Sequence, residues 1–411
     1  MAEIISAAEA KEAVAARKLA KEEAYVAGLI NEAIDAGAYN CSLSDVSEDI
    51  IKKLQEKGYY VSKVVNSGSD YGYSVVWNHE SQEFTPATTI DAIDDILNGE
   101  EEKVLIEITE PISIAKGSPI AIPAGKKATI KVDEEITIAE SGFVVADGAE
   151  LILKGEGVLK STNKSTKGAI VEASGPNAVV TIDGPTIDLY SVNGKAGNYA
   201  FGVLLAQDAS LNFKSGVIKT AYGSCISTNN TLGGANIINI TGGELYSDGS
   251  YAIYLASHAV CNVKGGKVQG INARMGYVNI SGDAEIIPTT IDSNGYDNIG
   301  VEFATSGCVW LGDTIAIMSG TYTDEKGTDT AITVKGNATV KSHFRSAIGV
   351  YCVDTKQNQN VKIAIAEPAN VTTTDEEFTA VKVYDHEYIA AEATAHGKTY
   401  TPVADTTVVV E

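Results

Sequence analysis

The chain has 411 residues, of which 44% are hydrophobic and 21% charged, so its composition is that of a folded protein and excludes an intrinsically disordered one. The formal net charge of -23 argues against a nucleic-acid partner, an anionic membrane surface and an acidic polysaccharide, because each would call for a basic surface. The N-terminal residues contain no continuous apolar segment, so we expect synthesis in a cytoplasm without a signal peptide. No apolar run reaches transmembrane length.

The first 80 residues predict a small α/β domain. Residues 5–36 are rich in alanine and read as one long helix, with a capping box from Ser6 to Glu9. A second capping box, Asp45 to Glu48, starts a shorter helix that Gly58 ends. The alternating segments "YYVSKVV" and "YGYSVVWNH" follow and predict a hairpin. The order is therefore helix, strand, helix, hairpin.

Residues 81–103 are predicted to connect this domain to a larger one. The segment "TTIDAIDDILNG" reads as a short amphipathic helix with its apolar residues on one face. A stacked repeat structure needs its open end covered, because apolar core and unpaired strand edges would otherwise face water. A helix just before the first repeat is the expected cap.

Residues 104–385 repeat one pattern, in which short alternating runs are separated by Gly or Asp. Examples are "AVVTIDGPTIDL", "ASLNFKSGVIKT" and "ANIINITGGELYS", and the units recur irregularly every ~20–30 residues, as in stacked repeat proteins. Stacking such units buries a continuous internal column. The pattern weakens in residues 386–411, which could form a last hairpin, a C-terminal cap, or a strand that pairs with a neighbouring subunit.

Two stretches resemble known families. The phrase "IAIPAGKKATIKV" followed by "GAELILKGEGVLKS" resembles right-handed parallel β-helix proteins of the pectin-lyase-like type. The N-terminal segments "INEAIDAG", "IIKKLQEKGY" and "YSVVW" resemble a small module of structural proteins in tailed-phage virions, where it anchors a larger appendage. Together they imply a mostly β fold, namely a right-handed parallel β-helix preceded by a small α/β domain with a long helix.

Because β-helices of this type often degrade polysaccharides, carboxylate pairs are candidates for catalysis. The candidates are Asp183 with Asp188 and Asp292 with Asp297, yet each isolated Asp fits a turn between strands better. The Asp-Asp dipeptide of this family's hydrolases occurs only in the predicted capping helix, and their Gly-His-Gly turn does not occur. A lyase would need a base such as Arg274 or Arg345, and neither has an acidic cluster of Ca²⁺-ligand spacing nearby. We therefore expect no catalytic residues, and we do not expect the protein to be an enzyme.

The five cysteines are odd in number and include no CxxC pair, so neither a disulfide framework nor a metal site is indicated. Cys225, Cys261, Cys308 and Cys352 lie within or beside apolar runs and are predicted to be small core residues. We expect neither a metal nor a cofactor.

Tyrosines cluster in the middle repeats and suggest a binding face. These candidate binding residues are Tyr190, Tyr199, Tyr222, Tyr246, Tyr251 and Tyr254. An aromatic face would suit neutral carbohydrate or a protein partner, although tyrosines are also ordinary surface residues of β structure.

The sequence thus predicts a virion structural protein of a tailed phage, displayed on the capsid as a decoration protein or head fibre. The N-terminal domain would bind the major capsid protein or another virion protein, and the β-helix would project outward. A homo-oligomer is expected, trimer before dimer. The alternatives are a tailspike-like polysaccharide depolymerase and a bacterial surface adhesin.

Overall fold

A computed structural model describes residues 7–35, 40–44, 46–57, 59–66, 69–76, 84–162, 168–190, 200–221, 223–229, 234–248, 251–274, 276–288, 312–319, 330–352, 361–384, 391 and 408–410. The fold is mostly β, and the chain divides into two compact units, Met1–Glu83 and Phe84–Glu411. Within the described ranges, no helix is both long enough and apolar enough to cross a membrane.

The N-terminal unit contains the predicted succession of helix, strand, helix and hairpin. Its elements are α1 Ala7–Asp35, β1 Asn40–Leu43, α2 Glu48–Glu56, β2 Tyr60–Asn66 and β3 Ser69–Val76. The three strands form an antiparallel sheet in the order β1-β3-β2. The secondary structure predicted for this part of the chain is confirmed.

The core of the N-terminal unit is small. Its buried side chains, among the described residues, are Val26, Ile30, Leu43, Ile50, Leu54 and Val75. The start of α2 differs from the predicted capping box, because the residue before the helix is Ser47, with no side-chain bond to the helix. The Ser47 hydroxyl instead donates to Glu22 Oε2 of α1 at 2.9 Å, and its backbone N–H donates to Oε1. This contact ties the two helices together.

The second unit, called here the body, begins with β4 Thr85–Ala87 and the predicted short helix, α3 Ile90–Leu97. The Ala92 backbone N–H donates to the Thr89 hydroxyl at 3.2 Å and caps α3. Ile93 and Leu97 of α3 belong to the same buried core as the strands that follow. This is the position expected of a capping helix.

The rest of the body is a stack of rungs, each with two segments in a large sheet and one in a second sheet. The first limb of the large sheet has the strands β5 Lys103–Ile108, β8 Lys127–Val132, β11 Glu150–Lys154, β14 Val179–Leu189, β16 Ser210–Thr220, β18 Asn236–Ile240, β21 Ala259–Val263, β24 Gly276–Ile280, β27 Thr330–Val334, β30 Val361–Ile365 and β33 Val408–Val410. In β14 and β16 the strand continues into the second limb.

The second limb runs beside the first and turns a corner from it. Its remaining strands are β6 Ile112–Ile114, β9 Glu135–Ile138, β12 Val158–Ser161, β19 Glu244–Ser247, β22 Lys267–Gln269, β25 Glu285–Ile287, β28 Thr339–Ser342 and β31 Asn370–Thr373. The second sheet contains β7 Ile120–Ile122, β10 Phe143–Val145, β13 Gly168–Ser174, β15 Ala200–Ala206, β17 Gly223–Ser227, β20 Ile253–Leu255, β23 Ile271–Ala273, β26 Ile315–Ser319, β29 Ile348–Cys352 and β32 Val381–Val383.

Neighbouring rungs pair in parallel, and apolar side chains stack in register inside the body. Phe213, for example, lies between Ile182 of the rung before and Ile240 of the rung after. Alternate residues point inward and are buried, as in β21, where Ala259, Cys261 and Val263 are buried. The body is therefore a solenoid-like stack with the continuous internal column that the alternating sequence predicted.

Glycines make the corner between the two limbs of the large sheet. Gly216 has φ +98°, and a Cβ at this position would lie 2.4 Å from the Pro185 carbonyl oxygen of the preceding rung. Only glycine allows both this backbone conformation and this approach. The corner therefore carries little side-chain bulk beside the outward-facing residues of the first limb.

Two further sequence predictions can be compared with the body. Cys225 and Cys261 are fully buried, as expected of core residues, whereas Cys308 lies outside the described residues. At the C-terminus, β33 pairs in parallel with β30 of the same chain, Val408 beside Val361. Of residues 386–411 the structure describes Ala391 and β33, and β33 is a strand of the chain's own stack, while the hairpin, the cap and the pairing with a neighbouring subunit stay predictions. The predicted domain boundaries at 80, 103 and 385 stay predictions.

Candidate functional site

The six tyrosines predicted as one binding face occupy different environments. Tyr199 and Tyr222 lie outside the described residues. Tyr190 follows β14 and is 41% exposed. Its backbone N–H donates to Asp188 Oδ1 at 2.9 Å, and Lys219 Nζ lies 5.5 Å from its ring centroid. Burial raises the pKa of the Tyr190 hydroxyl, and a hydrogen bond with Asp248 adds to this effect.

Tyr246 belongs to the same outward surface, because it pairs in register with Lys219 of the preceding rung. Its hydroxyl donates to Glu244 Oε2 at 2.8 Å. Burial raises the pKa of Tyr246 to about 12, and the Glu244 carboxylate contributes to the rise. Lys219 also pairs with Asp188 Oδ2 at 3.1 Å, so this column of the second limb is a network of charged and phenolic groups.

Tyr251 and Tyr254 do not belong to that surface. Tyr251 is fully buried, because it precedes β20, whose residues are buried on both sides. Tyr254 is 8% exposed, and the Arg274 guanidinium carbon lies 5.1 Å from its ring centroid. The face of six tyrosines is corrected accordingly. Of the four described tyrosines in this set, Tyr190 and Tyr246 are placed to meet a ligand, and their binding role stays a prediction.

The carboxylates considered for catalysis are engaged in different places. Asp183 ends the first limb in β14 and accepts a hydrogen bond from the Ser215 hydroxyl at 2.7 Å. Asp188 lies on the second limb and pairs with Lys219. Asp292 and Asp297 lie outside the described residues. Among the described residues, no group of three or more His, Cys, Asp or Glu could hold a metal ion.

The two arginines considered as bases are both buried, each only 3% exposed. Arg274 stacks on Tyr254, as described above, and Arg345 lies between aromatic rings. The Arg345 guanidinium carbon is 5.1 Å from the Phe344 ring centroid and 5.4 Å from that of Phe378. Such cation–π packing fits a structural role for the two side chains.

A buried polar pair near the last rungs escaped sequence analysis. The Tyr384 hydroxyl donates to Asp313 Oδ1 at 2.7 Å, and the Ser346 backbone N–H donates to the same oxygen at 3.0 Å. Burial raises the pKa of the Tyr384 hydroxyl, and the neighbouring Asp313 carboxylate raises it further. Because the two residues lie 71 positions apart in the chain, no local pattern could have joined them.

Sequence analysis also missed an asparagine ladder on the outer face of the first limb. Four asparagines occupy equivalent positions on successive rungs, namely Asn212, Asn239, Asn262 and Asn279. The Nδ2 groups of the last three donate to the Oδ1 of the rung before, at 3.1 Å, 2.9 Å and 3.0 Å along the ladder. The signal was present in the recurring segments "LNFK", "INIT", "CNVK" and "VNIS".

A row of lysines runs parallel to the ladder. Lys214, Lys264 and Lys335 are exposed, and each lies two residues after the ladder position of its own rung. Thr241 and Ser281 take this place on the rungs between them. The lysines therefore recur on every second rung. Within the described part of the chain, none of the three takes part in an ion pair.

An apolar column flanks the ladder on its other side. Ile237 and Tyr277 are 41% and 40% exposed, and Val260 lies between them in register. The ring of His258 meets the Tyr277 ring edge to face, with centroids 5.5 Å apart. The apolar column, the asparagine ladder and the lysine row together are called here the amide–lysine face.

The N-terminal unit has a groove of its own, between α1 and α2. Its volume is about 460 Å³, and its lining includes Val26, Ile30, Ile50, Leu54 and Tyr59. Lys53, which also lines the groove, forms an ion pair with Glu23 across the two helices. The groove joins an apolar floor to a charged rim, a combination suited to a protein partner.

Comparison with known proteins adds no assignment, because no family model, curated protein or solved structure matches the chain.

Proposed function

We propose that the body is a right-handed parallel β-helix and that the chain is a structural protein of a tailed-phage virion. The N-terminal unit would bind the major capsid protein or another virion protein, and the body would project from the particle. Display on the capsid, as a decoration protein or head fibre, is preferred to a position in the tail.

The observation that carries this proposal is the division of the chain into two compact units with different architectures. A small antiparallel sheet with two helices precedes a long parallel stack, and each unit has its own buried core. One unit can therefore be held by a partner while the other presents a rigid surface. The resemblance of the N-terminal segments to phage anchoring modules supports the N-terminal unit as the one that the partner holds.

The groove between α1 and α2 is the proposed attachment point within the N-terminal unit. Its apolar floor would accept side chains of the virion partner, and its charged rim would fix their orientation. The alanine-rich helix α1 would also supply contacts between copies of the chain, in a trimer before a dimer. Small residues let helices approach each other closely.

Density-gradient purification of particles from the source culture, followed by mass spectrometry, tests the proposal. We expect the chain to be recovered with the major capsid protein at constant stoichiometry through the gradient. Analytical ultracentrifugation of the purified chain should show a trimer, or at least a dimer, at micromolar concentration. Absence of the chain from all particles would overturn the virion assignment. A monomer in the ultracentrifuge would overturn the proposed homo-oligomer.

The depolymerase alternative has a separate test. Capsular polysaccharides are incubated with the purified chain, and new reducing ends or unsaturated uronates are measured. We expect no cleavage, since Asp183 and Asp188 are engaged by Ser215 and Lys219. Cleavage abolished by Asp183→Asn would replace the display proposal with an enzymatic one.

A further inference from the structure

We infer that the interior of the body holds a buried water molecule at Asn236, in the corner where the second sheet passes into the first limb. The side-chain amide of Asn236 binds this water through its N–H groups and its carbonyl oxygen. The inference concerns the interior of the stack, so it goes beyond the proposed display function and does not depend on it.

Small apolar residues take the place of Asn236 on the neighbouring rungs. The register pairs Ser210 with Ile237 and Asn236 with Ala259, so Ala209 and Ala259 flank Asn236 on the rungs before and after. All three of these side chains are fully buried. Asn236 therefore puts an amide where its neighbours have a methyl group, which is unfavourable unless the amide has hydrogen-bond partners.

The amide of Asn236 lacks such a partner in the protein. Within the part of the chain that the structure describes, neither its Nδ2 nor its Oδ1 makes a hydrogen bond, although both atoms are buried. Nearly all buried polar groups of folded proteins are bonded to protein or to ordered water. One unpaired buried donor or acceptor costs roughly tenfold or more in the folding equilibrium constant. A partner from outside the chain is therefore expected.

The backbone prevents the Asn236 side chain from turning out to solvent. The Asn236 N–H donates to the His258 carbonyl oxygen at 3.2 Å, and the Ile237 N–H donates to the rung before at 3.0 Å. The Ala235 N–H donates to Asp208 Oδ1. Because three successive N–H groups are bound, Asn236 keeps its inward orientation.

Other polar side chains of this corner bond to each other. The Ser257 hydroxyl donates to the Thr228 carbonyl oxygen at 3.0 Å, and the Ser257 N–H donates to Thr228 Oγ1 at 3.1 Å. His258 Nδ1, in contrast, is also buried without a hydrogen bond among the described residues. The corner thus contains unpaired polar atoms on two adjacent rungs, those of Asn236 and His258.

The chemistry of the amide selects water rather than a cation. Nδ2 presents N–H donors and Oδ1 presents lone pairs, and a water molecule can accept from the first and donate to the second. A cation would bind Oδ1 but would be repelled by the partial positive charge of the Nδ2 hydrogens. It would also lack a counter-charge, because the only buried carboxylate among the described residues is that of Asp313, which is bonded to Tyr384.

High-resolution crystal structures of the full chain and of its variant Asn236→Ala test the inference directly. In the unmodified chain we expect density for an ordered water about 2.7–3.2 Å from Nδ2 and Oδ1 of Asn236. The density should be absent from Asn236→Ala, because a cavity lined by apolar groups stays dry. An empty site, a metal ion identified by anomalous scattering, or a protein side chain bonded to the amide would overturn the inference.

Urea denaturation of the body is a second measurement that needs no crystals. A dry, unpaired amide would make Asn236→Ala lower the unfolding equilibrium constant by about tenfold or more, since the substitution removes the unpaired groups. A hydrated amide predicts a change below about fivefold, because release of the water offsets the lost hydrogen bonds.

Thr228→Val is the control for this measurement. It removes a buried hydroxyl that has a protein partner and leaves the Ser257 N–H without its acceptor, so the unfolding constant should rise by about tenfold. Stabilisation of Asn236→Ala by about tenfold or more, in an assay that detects the loss in Thr228→Val, would contradict the buried water.

Discussion

The two units of the chain bury their apolar side chains in different ways. In the N-terminal unit, two helices and a three-stranded sheet close around a few side chains, such as Leu43 and Val75. In the body, each rung buries its apolar residues against the next, and the core continues from α3 to the last described rungs. The stability of a small closed core depends on each of its few side chains. In a stacked core, the stability is distributed over the interfaces between neighbouring repeats. The units should therefore unfold separately.

The largest loss of unfolding free energy is expected from Phe213→Ala in the body. Phe213 is fully buried between Ile182 and Ile240, so its removal leaves a cavity and should lower the free energy of unfolding by about 3–5 kcal/mol. Urea denaturation monitored by circular dichroism measures the shift. Lys264→Ala, at an exposed position on the outer face, is the control, with a change below about 0.5 kcal/mol. Equal shifts in both variants would contradict the stacked interior.

Leu43→Ala makes the complementary change in the N-terminal unit. Leu43 is buried in the small core, and the substitution should destabilise that unit by about 2–4 kcal/mol. Differential scanning calorimetry should show a lowered first transition and an unchanged transition of the body. A single transition that shifts as a whole would show that the two units unfold together.

A smaller effect is expected from Asn262→Ala in the ladder. Asn262 donates to Asn239 and accepts from Asn279, and each net amide hydrogen bond contributes about 0.5–1.5 kcal/mol. The body should lose about 1–2 kcal/mol in urea denaturation, since one of these amides can rebond to water. Thr241→Ala, an exposed residue on an adjacent rung, should change little. An unchanged Asn262→Ala variant would indicate that the ladder contributes nothing to stacking.

A pH-dependent effect is expected at the buried thiol of Cys261. Burial raises its pKa to about 12, above the value near 8.5 of an exposed thiol. Its contribution to stability is therefore fully present below the unfolded pKa and is lost as pH rises toward the folded pKa. The difference in unfolding free energy between the unmodified chain and Cys261→Ala should accordingly shrink between pH 8 and pH 11. A difference that stays constant over this range would contradict the burial.

Thiol labelling at pH 8 provides a second test of the burial of Cys261. Iodoacetamide, followed by peptide mass mapping, should modify the half-buried Cys41 before the fully buried Cys261. Equal labelling in the folded chain would mean that the interior of the body opens on the labelling timescale.

Local patterns made much of this architecture predictable from sequence. Alternation predicted the inward columns, as in Ala259, Cys261 and Val263, and the amphipathic pattern predicted α3. The lysine spacing could not be predicted, because it depends on which segments stack. Tyr277 pairs with Ala331, and the 53 intervening residues conceal that these positions are neighbours. The burial of Tyr251 was missed because the sequence pattern alone did not show which of its sides are covered.

The most direct test of the central claim is immunogold electron microscopy on intact particles with two antibodies, one against residues 1–83 and one against the body. If the N-terminal unit anchors and the body is displayed, the body antibody should label the heads of intact particles. The antibody against residues 1–83 should label only protein released from them. Labelling of intact particles by the N-terminal antibody alone, or of no particle by either, would contradict the division into anchor and display.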